Sequence, residues 1–162
     1  MLFPKVDDSA IFVGRSDPHE LLGTHSIHPF KLDGREWMTV EHYFQAKKFE
    51  TTSLEHFEAI RNSSTAKLAR KLGRSNKNLL REDWSIIKRI VMTRAFYTKC
   101  RTHSEVAAVL IESEDKQILD NSQYDYYWGC GRDKRAQNIY GNVLMDVRKK
   151  LQNEALVLSP KS

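Results

Sequence analysis

Thr39-Val40-Glu41-His42-Tyr43-Phe44-Gln45-Ala46-Lys47-Lys48-Phe49 reads as a capped helix, and the rest of the chain is organised around it. A hydroxyl residue just before an apolar periodic run satisfies a backbone amide that the first helical turn leaves unpaired, so Thr39 is the expected N-cap of a helix from Val40 to Glu50. Successive helical residues turn by about 100°, which places Glu41, Gln45 and Lys48 on one face beside the apolar line of Val40 and Phe44. The expected result is a helix with one buried side and a polar trio at the edge of the core. A carboxylate, an amide and an amine then converge on one small volume.

Upstream, Ala10 to Gly14 reads as a short buried strand, and Ile27 to Thr39 as a hairpin turning at Asp33-Gly34, a pair suited to positive φ. Downstream the pattern is mostly helical. Ser53 opens a helix over Leu54 to Arg61, and Ser64 is the expected cap of another that ends at Gly73. Asp83 is the expected cap of the longest, Trp84 to Cys100, where Trp84, Ile87, Val91 and Ala95 recur with helical period; it is the expected central pillar. Ser104 starts a further helix, a strand runs near Ile118-Leu119, and an irregular stretch from Asn121 to Gln137 leads into a final helix from about Asn138 to Leu151, with Leu144, Val147 and Leu151 facing one way. The fold class is α+β, predominantly helical with a small β-hairpin or sheet. No repeat or linker divides residues 1–162, so a single domain is expected.

The chain has 162 residues, 40% hydrophobic and 29% charged, enough to bury a core without covalent staples. Its two cysteines, Cys100 and Cys130, lack disulfide density and metal spacing, which favours a reducing, cytoplasmic setting. Met1 to Asp8 has no signal-peptide core, and no apolar run approaches the roughly 18 residues of a spanning helix. The net charge of +5 favours anionic partners. Acidic and basic residues alternate, however, and the densest basic cluster, Gly131 to Arg135, fits a solvated loop as well as a phosphate grip.

Two stretches carry candidate chemistry. Glu41 lies in the first turn of its helix, where the dipole and free amides favour a carboxylate; the same position also suits an acid that only supports its helix start. Asp125-Tyr126-Tyr127-Trp128-Gly129-Cys130-Gly131 combines glycines that admit close approach, aromatic faces for a planar ring, and an acid; such residues equally pack a loop onto a core. His25 and His28 have no third partner for a metal and read as surface or hairpin histidines. Neither a nucleophile elbow nor a P-loop occurs, which argues against hydrolase triads and P-loop chemistry.

Glu41-His42-Tyr43-Phe44-Gln45-Ala46 with Lys48, Leu72-Gly73-Arg74, Trp84 with Lys88 and Met92, Asp125 with Tyr127-Trp128-Gly129 and Gly131, and Asn138, Gly141, Leu144-Met145 and Arg148 together resemble the NADAR or YbiA-like family in order and spacing, from Phe12 to Leu151. The resemblance implies a YbiA-like α+β fold and N-glycosidase activity without metal or other cofactor. It implies one of two substrates, a phosphorylated ribosylaminopyrimidine of riboflavin biosynthesis or ADP-ribose on guanine bases of nucleic acid. It also implies Glu41 as the active-site carboxylate, Lys48 as a candidate covalent lysine, and Asp125 and Trp128 as the loop acid and aromatic. Gly23-Thr24-His25 and Cys130 depart from the pattern of many relatives, which have Ser-Asn-Phe and an acid there.

Breaking a ribosyl C–N bond builds positive charge at C1, which a fixed carboxylate stabilises; Glu41 is the expected group. Lys48, with Lys47 and Phe49 beside it to lower its pKa, is either a nucleophile or an orienting cation. Asp125 binds ribose hydroxyls or assists proton transfer, and Arg74 and Arg132 hold phosphate. Gln45, Trp128, Gly129, Gly131 and Asn138 complete the expected substrate contacts. The alternative is a non-catalytic module that binds ADP-ribose or nucleic acid through its basic surface and Tyr126 to Trp128.

Overall fold

The computed structural model describes residues 8–158. Thr39 caps as expected: it is extended (φ −145°, ψ 164°), and its Oγ1 accepts from the His42 amide at 3.1 Å. The helix α1 covers Val40–Lys47 and stops short of Glu50. Arg81 replaces the missing turn, since its amide donates to the Lys48 carbonyl at 3.0 Å and its Nη1 to the Lys47 carbonyl at 3.3 Å. Every residue of α1 is buried, so the one-sided helix read from spacing is corrected. The cause is packing on several sides, by α2 (Leu54–Arg61), α3 (Ala66–Gly73), α4 (Trp84–Thr102) and the hairpin strand β3 (Arg35–Trp37).

That hairpin pairs β2 (Phe30–Leu32) antiparallel with β3, with Phe30 opposite Trp37. Asp33 and Gly34 both have positive φ, 54° and 76°, the geometry that lets a two-residue turn follow the strand twist. Trp37 is driven into the core, edge-on to Tyr43 at 5.1 Å and Phe57 at 5.6 Å. The Asp33 carboxylate accepts from Tyr43 at 2.7 Å, Lys47 at 3.0 Å and Arg94 at 2.8 Å, which ties the turn to α1 and α4.

One expected cap moves, and another keeps its place without the capping bond. Thr65, not Ser64, caps α3: its Oγ1 accepts from the Leu68 amide at 3.0 Å. Asp83 precedes α4 but makes no capping bond, because its carboxylate is held by Arg81 at 2.7 and 3.2 Å. The helix α4 takes the central place expected of it, packing against α1, β2 and both later helices, while Ile86 and Ile90 on its outer face are 78% and 61% exposed.

The N-terminal strand β1 (Ile11–Val13) pairs parallel with β4 (Ile118–Asp120), in the register Ile11 to Ile118 and Val13 to Asp120. Only Val13 of β1 is buried, which corrects the expectation of a buried strand; β4 is buried throughout. Behind them α6 (Ile139–Leu158) packs on β4, α4 and α5 (Ser104–Glu112), with Leu144, Val147 and Leu151 buried. Among the described residues no helix is long and apolar enough to cross a membrane.

Candidate active site

Glu41 and Gln45 of α1 and Lys48 at its C-cap face one cavity of about 150 Å³ together with Arg15, Phe44, Arg70, Arg74, Trp84, Lys88, Met92, Asp125 and Trp128. Glu41 is 2% exposed, so bulk solvent does little to stabilise its charge. Instead its Oε1 accepts from Gln45 Nε2 at 2.8 Å and Arg70 Nε at 3.0 Å, and its Oε2 from Thr24 Oγ1 at 2.7 Å and Arg70 Nη2 at 3.4 Å. Burial pushes the carboxyl pKa up, but the Arg70 charge and hydrogen bonds, with help from His25 and the Gln45 amide, outweigh it and hold the value at about 2. The ionised form expected from the helix start is therefore held chiefly by a guanidinium from α3. Gln45 lies flat on Gly73 of that helix: a Cβ there would stand 1.9 Å from Gln45 Oε1.

Thr24, His25, Arg15 and Arg70 belong to this arrangement and were not singled out as site residues from spacing. Thr24 is fully buried and His25 is 9% exposed, its Nδ1 3.0 Å from Thr24 Oγ1 and 3.8 Å from Glu41 Oε2. The expectation of a surface or hairpin histidine fails for His25. The chain from Leu22 to Ser26 is fastened from behind, because Tyr140 donates to the Leu22 carbonyl at 2.6 Å and the fully buried Lys99 donates to the Gly23 carbonyl at 2.9 Å and Ser26 Oγ at 2.7 Å. These contacts span 73 or more residues of sequence, so no local pattern announces them. Among the described residues no three histidines, cysteines or acids are placed to hold a metal.

Lys48 is half-buried, with its Nζ 5.7 Å from the Phe44 ring, 6.0 Å from Trp84 and 3.4 Å from the Gly73 carbonyl, to which it donates. Burial lowers its pKa to about 8; Glu41 opposes this, and Arg74, Arg70 and Lys88 add to it. The cation expected to do so, Lys47, instead reaches Asp33 and Glu50. Lys48 thus supplies a neutral amine to a useful fraction of molecules near pH 8.

The irregular segment from Asn121 to Gln137 is held by backbone bonds, including Asn138 to Gly129 at 3.0 Å and Tyr140 to Trp128 at 3.1 Å. Asp125 organises it: Oδ1 accepts from the Tyr127 and Trp128 amides at 3.1 and 2.8 Å, and Oδ2 from Arg15 at 2.8 Å. Burial raises the Asp125 pKa, but the Arg15 bond and the two amides bring it below the ordinary value, so Asp125 enters as an anion and not as a proton donor. Trp128 lines the cavity edge-on to Phe44 at 5.5 Å.

Four expected contacts lie elsewhere. A Cβ on Gly129 would meet the Ser122 and Asp125 carbonyls at 2.6 and 2.7 Å, and Gly131 has φ +73° under the Tyr126 ring, so both glycines serve loop packing. Asn138 bonds β4, accepting from the Asp120 amide at 2.8 Å and donating to the Ile118 carbonyl at 2.9 Å. Arg132 is exposed and outside the cavity lining, as is buried Cys130. In place of Arg132, Arg15 and Arg70 stand with Arg74. These three also line a second cavity of about 480 Å³, with Ser122 and Tyr124 to Tyr127 around it. Arg70 and Arg74 further border an outer groove of about 1090 Å³ along α3.

The family model for the NADAR domain matches residues 3–152. The N-glycosidase YbiA of Escherichia coli K12 is 34% identical over 88% of this chain and 88% of its own length. An N-glycosidase of Nostoc punctiforme is 34% identical over 84% of this chain and 88% of its own. A riboflavin biosynthesis protein of Vibrio vulnificus is 32% identical over 76% of this chain, which is 33% of that longer protein. The NMR structure of E. coli YbiA superimposes with a TM-score of 0.83 at 32% identity, covering 96% of this chain and 92% of that one. With a matched family model over most of its length and a shared fold, this chain belongs to the NADAR family.

Proposed function

We infer that this chain is an N-glycosidase that hydrolyses a ribosyl C1–N bond, and we assign the reaction to the cavity under α1. The observation that carries the assignment is a buried carboxylate, Glu41, kept ionised by Arg70 in the same small cavity as the Lys48 amine. A fixed anion in a dry site stabilises the positive charge that grows on C1 and the ring oxygen as the bond breaks. Lys48 attacks C1 as a neutral amine while the bonding pair leaves with the heterocycle nitrogen, which takes up the proton that the amine gives up. The lysine-bound sugar opens to a Schiff base, and water releases it.

Asp125 accepts from ribose hydroxyls, Trp128 stacks at the rim, and Arg15, Arg70 and Arg74 hold phosphate in place of the exposed Arg132. The substrate we propose is a phosphorylated ribosylaminopyrimidine, in line with the relative named for riboflavin biosynthesis. One observation favours the larger alternative, ADP-ribose on a guanine base: the inner cavity shares Arg70 and Arg74 with two wider ones. We also place the reaction in the cytoplasm, since both cysteines are free buried thiols.

Incubation with each substrate, followed by mass spectrometry of the released base, tests the reading. Glu41→Gln is expected to lower turnover at least about 100-fold, the scale of losing one preorganised electrostatic group, while its circular dichroism stays native. No released base from either substrate, or wild-type turnover by the variant, would overturn it.

A further inference from the structure

His25 stands between Glu41 and the outer groove, and its hydrogen-bonding state follows from its neighbours. Thr24 has one hydroxyl proton to donate, and its Oγ1 stands 2.7 Å from Glu41 Oε2 and 3.2 Å from the Arg15 carbonyl. The ionised carboxylate is the stronger acceptor and takes it. Thr24 Oγ1 can then only accept from His25 Nδ1 at 3.0 Å, so Nδ1 carries the ring hydrogen and Nε2 keeps a lone pair. Burial holds the imidazole below the ordinary histidine pKa; Glu41 opposes this, and Arg70, Arg15 and His42 add to it, so the ring is neutral near pH 7. None of the described residues bonds Nε2, and the ring lines the outer groove. Lys99, bonded on both sides of the Thr24-His25 pair, fixes that acceptor in place.

The groove has an apolar floor of Pro18, Ile27, Met38 and Leu68, with Ile27 69% exposed, and it meets the inner cavity at Arg70 and Arg74. The inner cavity, about 150 Å³, is smaller than the roughly 300–1,000 Å³ of sites that enclose a whole small ligand. Only part of a ribosylated heterocycle fits there, and the rest must lie in an adjoining space. The other adjoining cavity, rimmed by Arg15, Arg70 and Arg74, suits phosphate.

We propose that the outer groove takes the departing heterocycle as a flat amino-substituted ring, with His25 Nε2 accepting a hydrogen bond from its amino group. This rests on the N-glycosidase reading for the identity of the ring but not for its binding, which needs no turnover. The test is calorimetric titration of the intact protein with free diaminopyrimidinone and with its counterpart in which methyl groups replace both amino groups. The wild type is expected to prefer the amino ring by about tenfold, the scale of one net hydrogen bond. His25→Phe should bring the ratio to about one. His25→Gln, which retains an acceptor at that reach, should restore a preference, and Ile27→Trp, at a surface position, should weaken both rings alike. Methyl NMR signals of Ile27, Met38 and Leu68 should shift on binding. Equal wild-type affinities, a preference that survives His25→Phe, or unshifted methyl signals with aromatic-ring shifts confined to Tyr124, Tyr126 and Tyr127 would each overturn the proposal. Absence of turnover with intact binding would instead strike only the glycosidase reading.

Discussion

Lys48 decides between two chemistries, and its protonation separates them. An amine that attacks C1 must be neutral, so kcat/KM should rise with pH through about 8, the value set by burial of Lys48, and level off above it. An orienting cation predicts the opposite sign, a fall above about 8. Borohydride added during turnover should leave the sugar reduced onto Lys48; a falling profile with no adduct would exclude the covalent route. Glu41 adds no limb at neutral pH, since it stays ionised down to about 2. That Glu41 and Lys48 share one cavity was legible in the sequence, because helical spacing fixes which side chains lie on one face. Arg70 was not, because its contact with Glu41 bridges 29 residues and depends on how α3 packs against α1.

Beside α1, the element α3 shapes the site in three ways, since it supplies Arg70, the seat for Gln45 and one border of the outer groove. Its start is set by Thr65, whose hydroxyl takes the Leu68 amide, while Ser64 lies one residue outside the helix. Thr65→Ala should therefore cost about 1 kcal/mol of stability, and Ser64→Ala close to nothing, both read from urea midpoints; equal effects would return the cap to Ser64. Serine and threonine have nearly the same claim to an N-cap, so local chemistry placed the helix but not its first residue. Asp83 failed for a related reason: a carboxylate beside a helix start caps only if nothing stronger holds it, and Arg81 does.

Across the whole molecule, acid should act through Asp33 and Glu41. Burial raises both pKa values, but Arg94, Tyr43 and Lys47 around Asp33, and Arg70 beside Glu41, reverse that and leave both below their ordinary values. A carboxylate with a lowered folded-state pKa stabilises the fold above its unfolded value and loses that contribution as pH falls toward the folded one. Urea midpoints should thus hold down to about pH 4.5, the ordinary glutamate value, and fall steadily toward about pH 2. Asp33→Asn should flatten the lower part of that fall, below about pH 3.8, the ordinary aspartate value, because it removes the anion that ties the hairpin turn to α1 and α4; an unchanged acid profile would count against this network.

By itself the sequence determined the helices, the Asp33-Gly34 hairpin, the shared face of Glu41, Gln45 and Lys48, and the family resemblance. Each of these rests on periodicity, turn chemistry or ordered motifs, which act over a few residues or survive as a pattern along the chain. Tertiary structure alone decided that α1 is buried on every side, that β1 pairs with β4 across more than a hundred residues, and that Thr24, His25, Arg15 and Arg70 surround Glu41. It also withdrew Gly129, Gly131, Asn138 and Arg132 from the cavity, assigning the two glycines to the loop's own packing and Asn138 to bonds with β4. The physical reason is burial: which charge neutralises a buried carboxylate depends on which distant segment is packed over it, and spacing along the chain carries no record of that.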